Sequence, residues 1–293
     1  MDVFITGGTG LIGAAVVAEL QRGGHAVTAL ARSDRSAAVA EEAGAGVVRG
    51  GLADLDVIRE AADRAEGVVH LAFANDFAGP EALERAIGEE TAALEAMGEA
   101  LTGSGRPLVM VSGTPWIPGW ASTEADPLPV DGPVGGRGRT VTRILGLAER
   151  GVRASAVRMP RTVHDRGEGG FAGLLTAAAR RSGVSGWVGD GTQRWPAVHA
   201  QDAAVLFRLA LEQAPAGSAW HAVQDEGDPM REIAEVIGRR LGLPAREVPQ
   251  EDFGVIGQIF AMDQPASSAV TRERLGWTPV HPRLLEDLEL VRP

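Results

Sequence analysis

Within its first thirteen residues the chain passes from a short apolar run, Val3-Phe4-Ile5-Thr6, directly into Gly7-Gly8-Thr9-Gly10-Leu11-Ile12-Gly13. Ala14-Ala15-Val16-Val17-Ala18-Glu19-Leu20 follows. The first run has the character of a buried parallel strand and the last that of a helix. A glycine-rich turn between them brings free backbone N–H groups and a helix N-terminus to one point, which attracts a pyrophosphate. Gly7 serves the tight turn, Gly10 lets the backbone approach phosphate oxygens, and Gly13 lets helix and strand pack closely. Thr9, Leu11 and Ile12 complete the loop. The turn lacks Gly-Lys-Ser/Thr and the chain contains no lysine, so a P-loop is excluded.

The remainder alternates in the manner this opening predicts. His25 to Ala31 reads as a second strand, ending at Arg32-Ser33-Asp34-Arg35. In a dinucleotide fold that strand end faces the adenosine ribose, where an acid binds a free 2′-hydroxyl and an arginine accommodates a 2′-phosphate. Ala31 followed by Arg32 and Ser33 therefore points to NADP(H) over NAD(H). Strands are expected at 47–49, 68–73, 107–111 and 154–158, and helices at 54–65, 80–101 and 140–150. His70, inside the fourth strand, reads as a packed and hydrogen-bonded core histidine. Residues 115–139, rich in proline and glycine, read as a loop near the strand ends, where α/β sheets place ligands.

Beyond Pro160 helices are expected at 171–181, 202–211, 230–241 and 283–290, with a short strand at Trp187-Val188. The fold class is α/β: a Rossmann-like doubly wound parallel sheet with a smaller C-terminal substrate-binding lobe. Residues 1–160, rejoined by about 187–213, form the NADP(H)-binding domain, and 161–293 are mainly the substrate side of a cleft.

Composition narrows the partners. The 293 residues carry a net charge of −11 with no basic run, which argues against nucleic acid and anionic membrane surfaces. Hydrophobic residues make up 44%, enough for a real core, and neither a leader nor a long apolar run is visible, so a soluble cytoplasmic protein is expected. There is no cysteine, and the six histidines are scattered without metal-ligand spacing, so no metal site is expected.

These residues resemble the extended short-chain dehydrogenase/reductases, also described as the NAD-dependent epimerase/dehydratase family. Residues 6–13 are similar to its glycine signature, and Val69-His70-Leu71-Ala72 to its fourth strand beside the cofactor. Arg158-Met159-Pro160-Arg161-Thr162-Val163-His164 resembles the segment whose backbone lines the nicotinamide. Residues 194–202 resemble the link between cap and sheet, and Leu275-Gly276-Trp277-Thr278-Pro279 the C-terminal signature. The resemblance implies cofactor contacts from Leu52, Leu71, Ala72, Phe73, Pro160 and Val163, a small-molecule substrate, and a homodimer. The family's catalytic pair is a tyrosine and a lysine four residues later. This chain has no tyrosine, and spacing places the pair near Pro133 to Gly135 and near Arg137 or Arg139. An arginine there can bind ribose, but no phenol is available. Gly51 is a second departure, standing where the family usually has an aspartate against adenine.

Proton transfer must therefore fall to other groups. Ser112 and Thr114 follow the fifth strand, where the family places a hydroxyl on the substrate oxygen; a local turn bond is the plainer role. His164 has the chemistry for proton transfer at neutral pH, and Asp76 is a further candidate acid or base. Trp116, Trp120 and Phe253 offer an apolar wall or core packing. The expected activity is NADPH-dependent reduction of a carbonyl or activated double bond of a small, aromatic or secondary-metabolite substrate, with a non-tyrosine proton donor. The alternatives are a non-redox isomerase, lyase or cyclase on the same scaffold, and an NADP(H)-sensing binding protein.

Overall fold

The computed structural model describes residues 1–74, 80–132 and 135–292. Its chain divides into two compact units, one of residues 1–112, 127–158 and 203–220, the other of 113–126, 159–202 and 221–293.

In the first unit strand and helix alternate: β1 (Asp2–Thr6), α1 (Leu11–Arg22), β2 (Ala26–Ala31), α2 (Asp34–Glu42), β3 (Gly46–Arg49), α3 (Leu55–Arg64), β4 (Gly67–His70), α4 (Pro80–Leu101), β5 (Pro107–Gly113), α5 (Gly135–Leu145) and β6 (Arg153–Met159). The seven-stranded sheet is completed by β10, introduced below, in the order β10-β6-β5-β4-β1-β2-β3. β1 pairs in parallel with both β2 and β4, and the order reverses at β1, the doubly wound Rossmann-like arrangement. Every residue of β4 is buried, as a strand covered on both faces must be. Phe4, Val68 and Leu108 of the sheet meet Ile58 of α3 and Leu94, Met97 and Leu101 of α4 in one apolar cluster. Arg106 closes the bottom of that layer. Its Nη1 donates to the carbonyls of Asp63 (2.7 Å) and Ala65 (2.6 Å), and its Nη2 to Ala100 (3.2 Å), so one cation satisfies the orphan carbonyls of two helix ends.

The chain continues through β7 (Thr162–His164), α6 (Gly170–Ser182), β8 (Ser185–Trp187), β9 (Arg194–His199), α7 (Ala200–Gln213), β10 (Ser218–His221), β11 (Asp225–Pro229), α8 (Met230–Leu241), β12 (Ala245–Glu247), α9 (Gly257–Phe260), α10 (Ala269–Leu275) and α11 (Leu284–Asp287). The second unit holds a three-stranded sheet, β11-β9-β7, and a two-stranded one, β12-β8. Its core gathers Trp195, Phe260, Leu175, Ile233, Ile237 and Leu284. Asp202, 1% exposed, ties the C-terminal segment down. Its carboxylate accepts from the amides of Val280 and His281 (3.0 Å each), and its carbonyl accepts from the indole N–H of Trp277 (2.8 Å).

Beyond Pro160 the short elements β7, β9, β10, β11, β12, α9 and α10 lie outside the expected set, and before it three elements differ from expectation. α2 was not anticipated because its sequence has no apolar stripe; it rests on a Ser33 cap, whose Oγ accepts from the Ser36 amide at 3.2 Å. Residues 135–139 form the first turn of α5 rather than loop, since Gly138 tolerates close passage of the Pro129 carbonyl, 2.0 Å from where a Cβ would stand. β4 ends at His70, three residues early: the Leu71 amide still donates to the Thr6 carbonyl at 3.1 Å, and Ala72 then passes against Gly7. Among the described residues no helix is long and apolar enough to cross a membrane.

Trp277→Ala is expected to cost about 3–5 kcal/mol, through a lost buried indole and the cavity left behind. A fall in thermal midpoint checks this, and an unchanged midpoint contradicts it.

Candidate functional site

β1 delivers the chain to the turn and α1 leaves it, and three glycines have separable causes there. Gly7 has φ +74°, and a Cβ on it would lie 2.7 Å from the Ala72 amide nitrogen. On Gly13 a Cβ would lie 2.0 Å from the Gly7 carbonyl oxygen. These two are demanded by the fold itself. Gly10 is not: its φ is −79°, and its nearest neighbour would be an ordinary 3.6 Å away. Gly10 is the N-cap of α1, and no side chain caps the helix. The turn thus presents the first-turn amides and the positive end of a helix dipole on an exposed glycine, a cradle that fits a phosphate group. Thr9 and Ile12 are half-buried around it and Leu11 is exposed.

At the end of β2, Arg32 is exposed and makes no hydrogen bond or ion pair with a described residue. Ser33 is occupied in capping α2, and Arg49 donates to its carbonyl at 2.7 Å. Gly51 lies beside Arg32, and its amide is held by Asp54 Oδ2 at 2.7 Å; Leu52 packs on the core.

At the end of β4 the polar groups are coupled. Thr6 Oγ1 accepts from the Ala72 amide at 3.3 Å and stands 2.8 Å from His70 Nδ1, which joins the exits of β1 and β4 beneath Gly7. Burial, and then the Arg137 charge, hold the His70 imidazole down to about 3, so it is neutral at physiological pH. Its Nε2 is buried without a hydrogen-bond partner among the described residues. Arg137 lies 4.3 Å over the Phe73 ring and donates from Nε and Nη2 to the Glu90 carboxylate at 2.8 and 2.7 Å. Burial raises Glu90, and Arg137 opposes that rise. Arg139 turns elsewhere, to the Val130 carbonyl and to a cavity of about 630 Å³ lined by residues of α4 and α5.

Ser112, at the end of β5, is buried. In the second unit Thr114 is buried as well, and its Oγ1 has no hydrogen-bond partner among the described residues. Its backbone is pinned by an amide bond to the Met159 carbonyl (2.9 Å) and by the Gln264 side chain on its own carbonyl (2.9 Å). Pro160 and Val163 are buried. His164 is fully buried, with Nδ1 3.0 Å from Asp287 Oδ2. Asp287 also accepts from the amides of Arg166 and Gly167; burial pushes its carboxyl up, but the His164 bond, then the Gly167 amide, hold it below the usual range. The His199 ring meets His164 edge-on at 5.4 Å and stacks on His281 at 4.7 Å. Burial, then the neighbouring His164 and His281, lower His199. Among the described residues no group of three His, Cys, Asp or Glu side chains is placed to hold a metal ion. Trp116 donates its indole N–H to the Asp263 carbonyl at 3.0 Å, Trp120 is exposed, and Phe253 packs on Phe260. Asp76 lies outside the described residues.

Glu90, Gln264, Asp287 and His199 escape sequence reasoning. Glu90 had a signal: it shares a helical stripe with Ala86, Ala93, Leu94 and Met97, all buried. An acid in a core stripe needs a buried partner.

A doubly wound sheet whose first turn is an uncapped, glycine-lined helix start belongs to the nucleotide-binding α/β proteins. The comparisons are more specific. The family model described as NAD dependent epimerase/dehydratase family matches residues 3–136, so that part of the chain carries the family's domain. An uncharacterized protein of Schizosaccharomyces pombe is 41% identical over 294 residues, covering 98% of each chain. One of Saccharomyces cerevisiae is 39% identical over 297 residues, also covering 98% of each. Among solved structures, UDP-glucose 4-epimerase of Thermotoga maritima with UDP-glucose matches at TM-score 0.81 and 20% identity, over 99% of this chain and 97% of its own. A dTDP-glucose 4,6-dehydratase of Streptomyces venezuelae with NAD matches at 0.77 and 19% identity, over 99% and 95%. These structural likenesses carry the fold.

Two outcomes are expected. The His70 ring stays neutral as pH falls from 6.5 toward 3, where an unfolded histidine protonates, so it withdraws on the order of a few kcal/mol of stability across that window. Ring nitrogen shifts in an NMR titration report this, and a midpoint near 6.5 contradicts it. Gly13→Ala lowers the thermal midpoint sharply, whereas Gly10→Ala changes the unfolding free energy by no more than about 0.5 kcal/mol.

Proposed function

We propose that the chain is an NAD(P)-dependent oxidoreductase that takes NADPH in preference to NADH and reduces a carbonyl, or an activated double bond, of a small molecule. The observation that carries this reading is Gly10, a glycine that the protein's own packing does not require, at an uncapped helix start. Gly7, Thr9, Gly10, Leu11, Ile12 and Gly13 would hold the pyrophosphate. Leu52 and Leu71 to Phe73 would flank the adenine and nicotinamide ends, and Arg137 the ribose, with backbone from Pro160 and Val163. The preference for a 2′-phosphate rests on Ala31 in place of an acid and on the unengaged Arg32 beside Ser33.

When bound, a reduced nicotinamide supplies the hydride; this chain supplies orientation and a proton. Without tyrosine, the Thr114 hydroxyl is the group we assign to the substrate oxygen, because it is buried, has no hydrogen-bond partner among the described residues, and is held by its backbone at two points. The proton then comes from water relayed by Thr114. His164 is the second donor we consider: Asp287 fixes its Nδ1, and Nε2 has no hydrogen-bond partner among the described residues. Neighbours in fold act on nucleotide sugars, but the exposed indoles of Trp116 and Trp120 favour an apolar or aromatic substrate here. A second reading, a non-redox isomerase, lyase or cyclase, draws on the missing phenol.

Purified protein is expected to oxidise NADPH with members of a carbonyl panel, and Thr114→Val to lower kcat by about 100-fold with less effect on KM. Arg32→Asp is expected to move the cofactor preference toward NADH by about tenfold or more. Failure to bind or oxidise NADPH removes the proposal, and product formed without NADPH consumption favours the second reading.

A further inference from the structure

Glu90 is 1% exposed, on a face of α4 otherwise given to alanine, leucine and methionine. A lone carboxylate there would be an uncompensated buried charge, which a fold tolerates only with a partner. Its partner is 47 positions away in sequence: Arg137 Nε donates to Oε2 at 2.8 Å and Nη2 to Oε1 at 2.7 Å, a fork-to-fork pair. The same guanidinium lies over the Phe73 ring at 4.3 Å. The two-bond fork fixes its rotation and the ring fixes its plane, so a side chain that ordinarily sweeps many rotamers is held in one. One edge of the guanidinium is thereby consumed, and Nη1 makes no hydrogen bond with a described residue. Phe73 follows Ala72, the residue against which Gly7 packs, so the fixed guanidinium sits at the exit of β4, next to the glycine cradle at the exit of β1.

We propose that Glu90 is a positioning residue for the nicotinamide-ribose half of the dinucleotide, holding Arg137 so that Nη1 offers its N–H donors to the ribose hydroxyls. The inference rests on the dinucleotide reading above. It also separates this site from one built on a lone cation: the Glu90 carboxylate neutralises the guanidinium, so the pair contributes direction and donors rather than net positive charge.

The test uses the full chain and two probes in calorimetry: NADP⁺, and adenosine 2′,5′-bisphosphate, which lacks the nicotinamide ribose. NAD⁺ and ADP replace them if the parent protein prefers NAD⁺. Glu90→Gln is expected to weaken the dinucleotide by about tenfold and leave the adenosine half unchanged, with Arg137→Lys doing the same. If Glu90→Gln does not fold, Glu90→Asp, which keeps the charge on a shorter arm, carries the same expectation. The whole-to-half affinity ratio is the readout, because general damage to the fold weakens both probes together. An unchanged ratio, or a parallel loss of both, overturns the role of Glu90 alone. A parent protein that binds neither probe removes the dinucleotide reading and this inference with it.

Discussion

Helix α1 and the turn that feeds it approach each other as closely as backbone allows. Gly13 sits so near the Gly7 carbonyl, and Gly7 so near the Ala72 amide, that neither position has room for a methyl group. That contact brings the start of α1 down onto the strand ends and leaves its first-turn amides without a side-chain cap. An uncapped helix start is a cost in an isolated protein and an asset to one that binds an anion. Thr6 and His70 reinforce the arrangement by linking β1 to β4 under the turn, and the neutrality of His70 keeps a second positive charge from forming beside Arg137.

A second theme is how a chain whose basic residues are all arginine pairs its charges. The planar fork permits two-bond pairing, as Arg137 does with Glu90 and Arg194 with Asp263. Arg106 uses the same fork to collect helix-end carbonyls, and Asp287 collects two amides and an imidazole. The chain has no tyrosine, so the proton transfer proposed above falls to groups that differ from a phenol in acidity and reach. Thr114, held by its backbone and with no hydrogen-bond partner for its hydroxyl among the described residues, differs in this respect from His164, whose Nδ1 already has a partner.

Much of the fold is legible in the residues because its causes are local. The glycine turn follows from sterics over seven positions, and β4 and α4 from continuous and 3.6-residue apolar patterns. The second unit is harder to read, since strands of three residues such as β7 and β8 carry too few side chains to show a period. α2 hides for another reason: alanine, serine and charged residues give it no stripe, and only the Ser33 cap marks its start. The candidate site divides the same way. Spacing leaves Arg137 and Arg139 equivalent, and tertiary contact separates them, one onto Phe73 and Glu90, the other onto the Val130 carbonyl. Gln264 reaches Thr114 across 150 positions and Asp287 reaches His164 across 123, distances at which no periodicity can pair residues.

The central claim, that main-chain amides at the start of α1 grip a dinucleotide phosphate, is tested most directly by amide NMR during titration with NADP⁺. The account predicts saturable shifts that are largest at the amides of Leu11, Ile12 and Gly13. A titration that moves no amide between Gly7 and Gly13 while shifts saturate elsewhere, or that moves none at all, contradicts it.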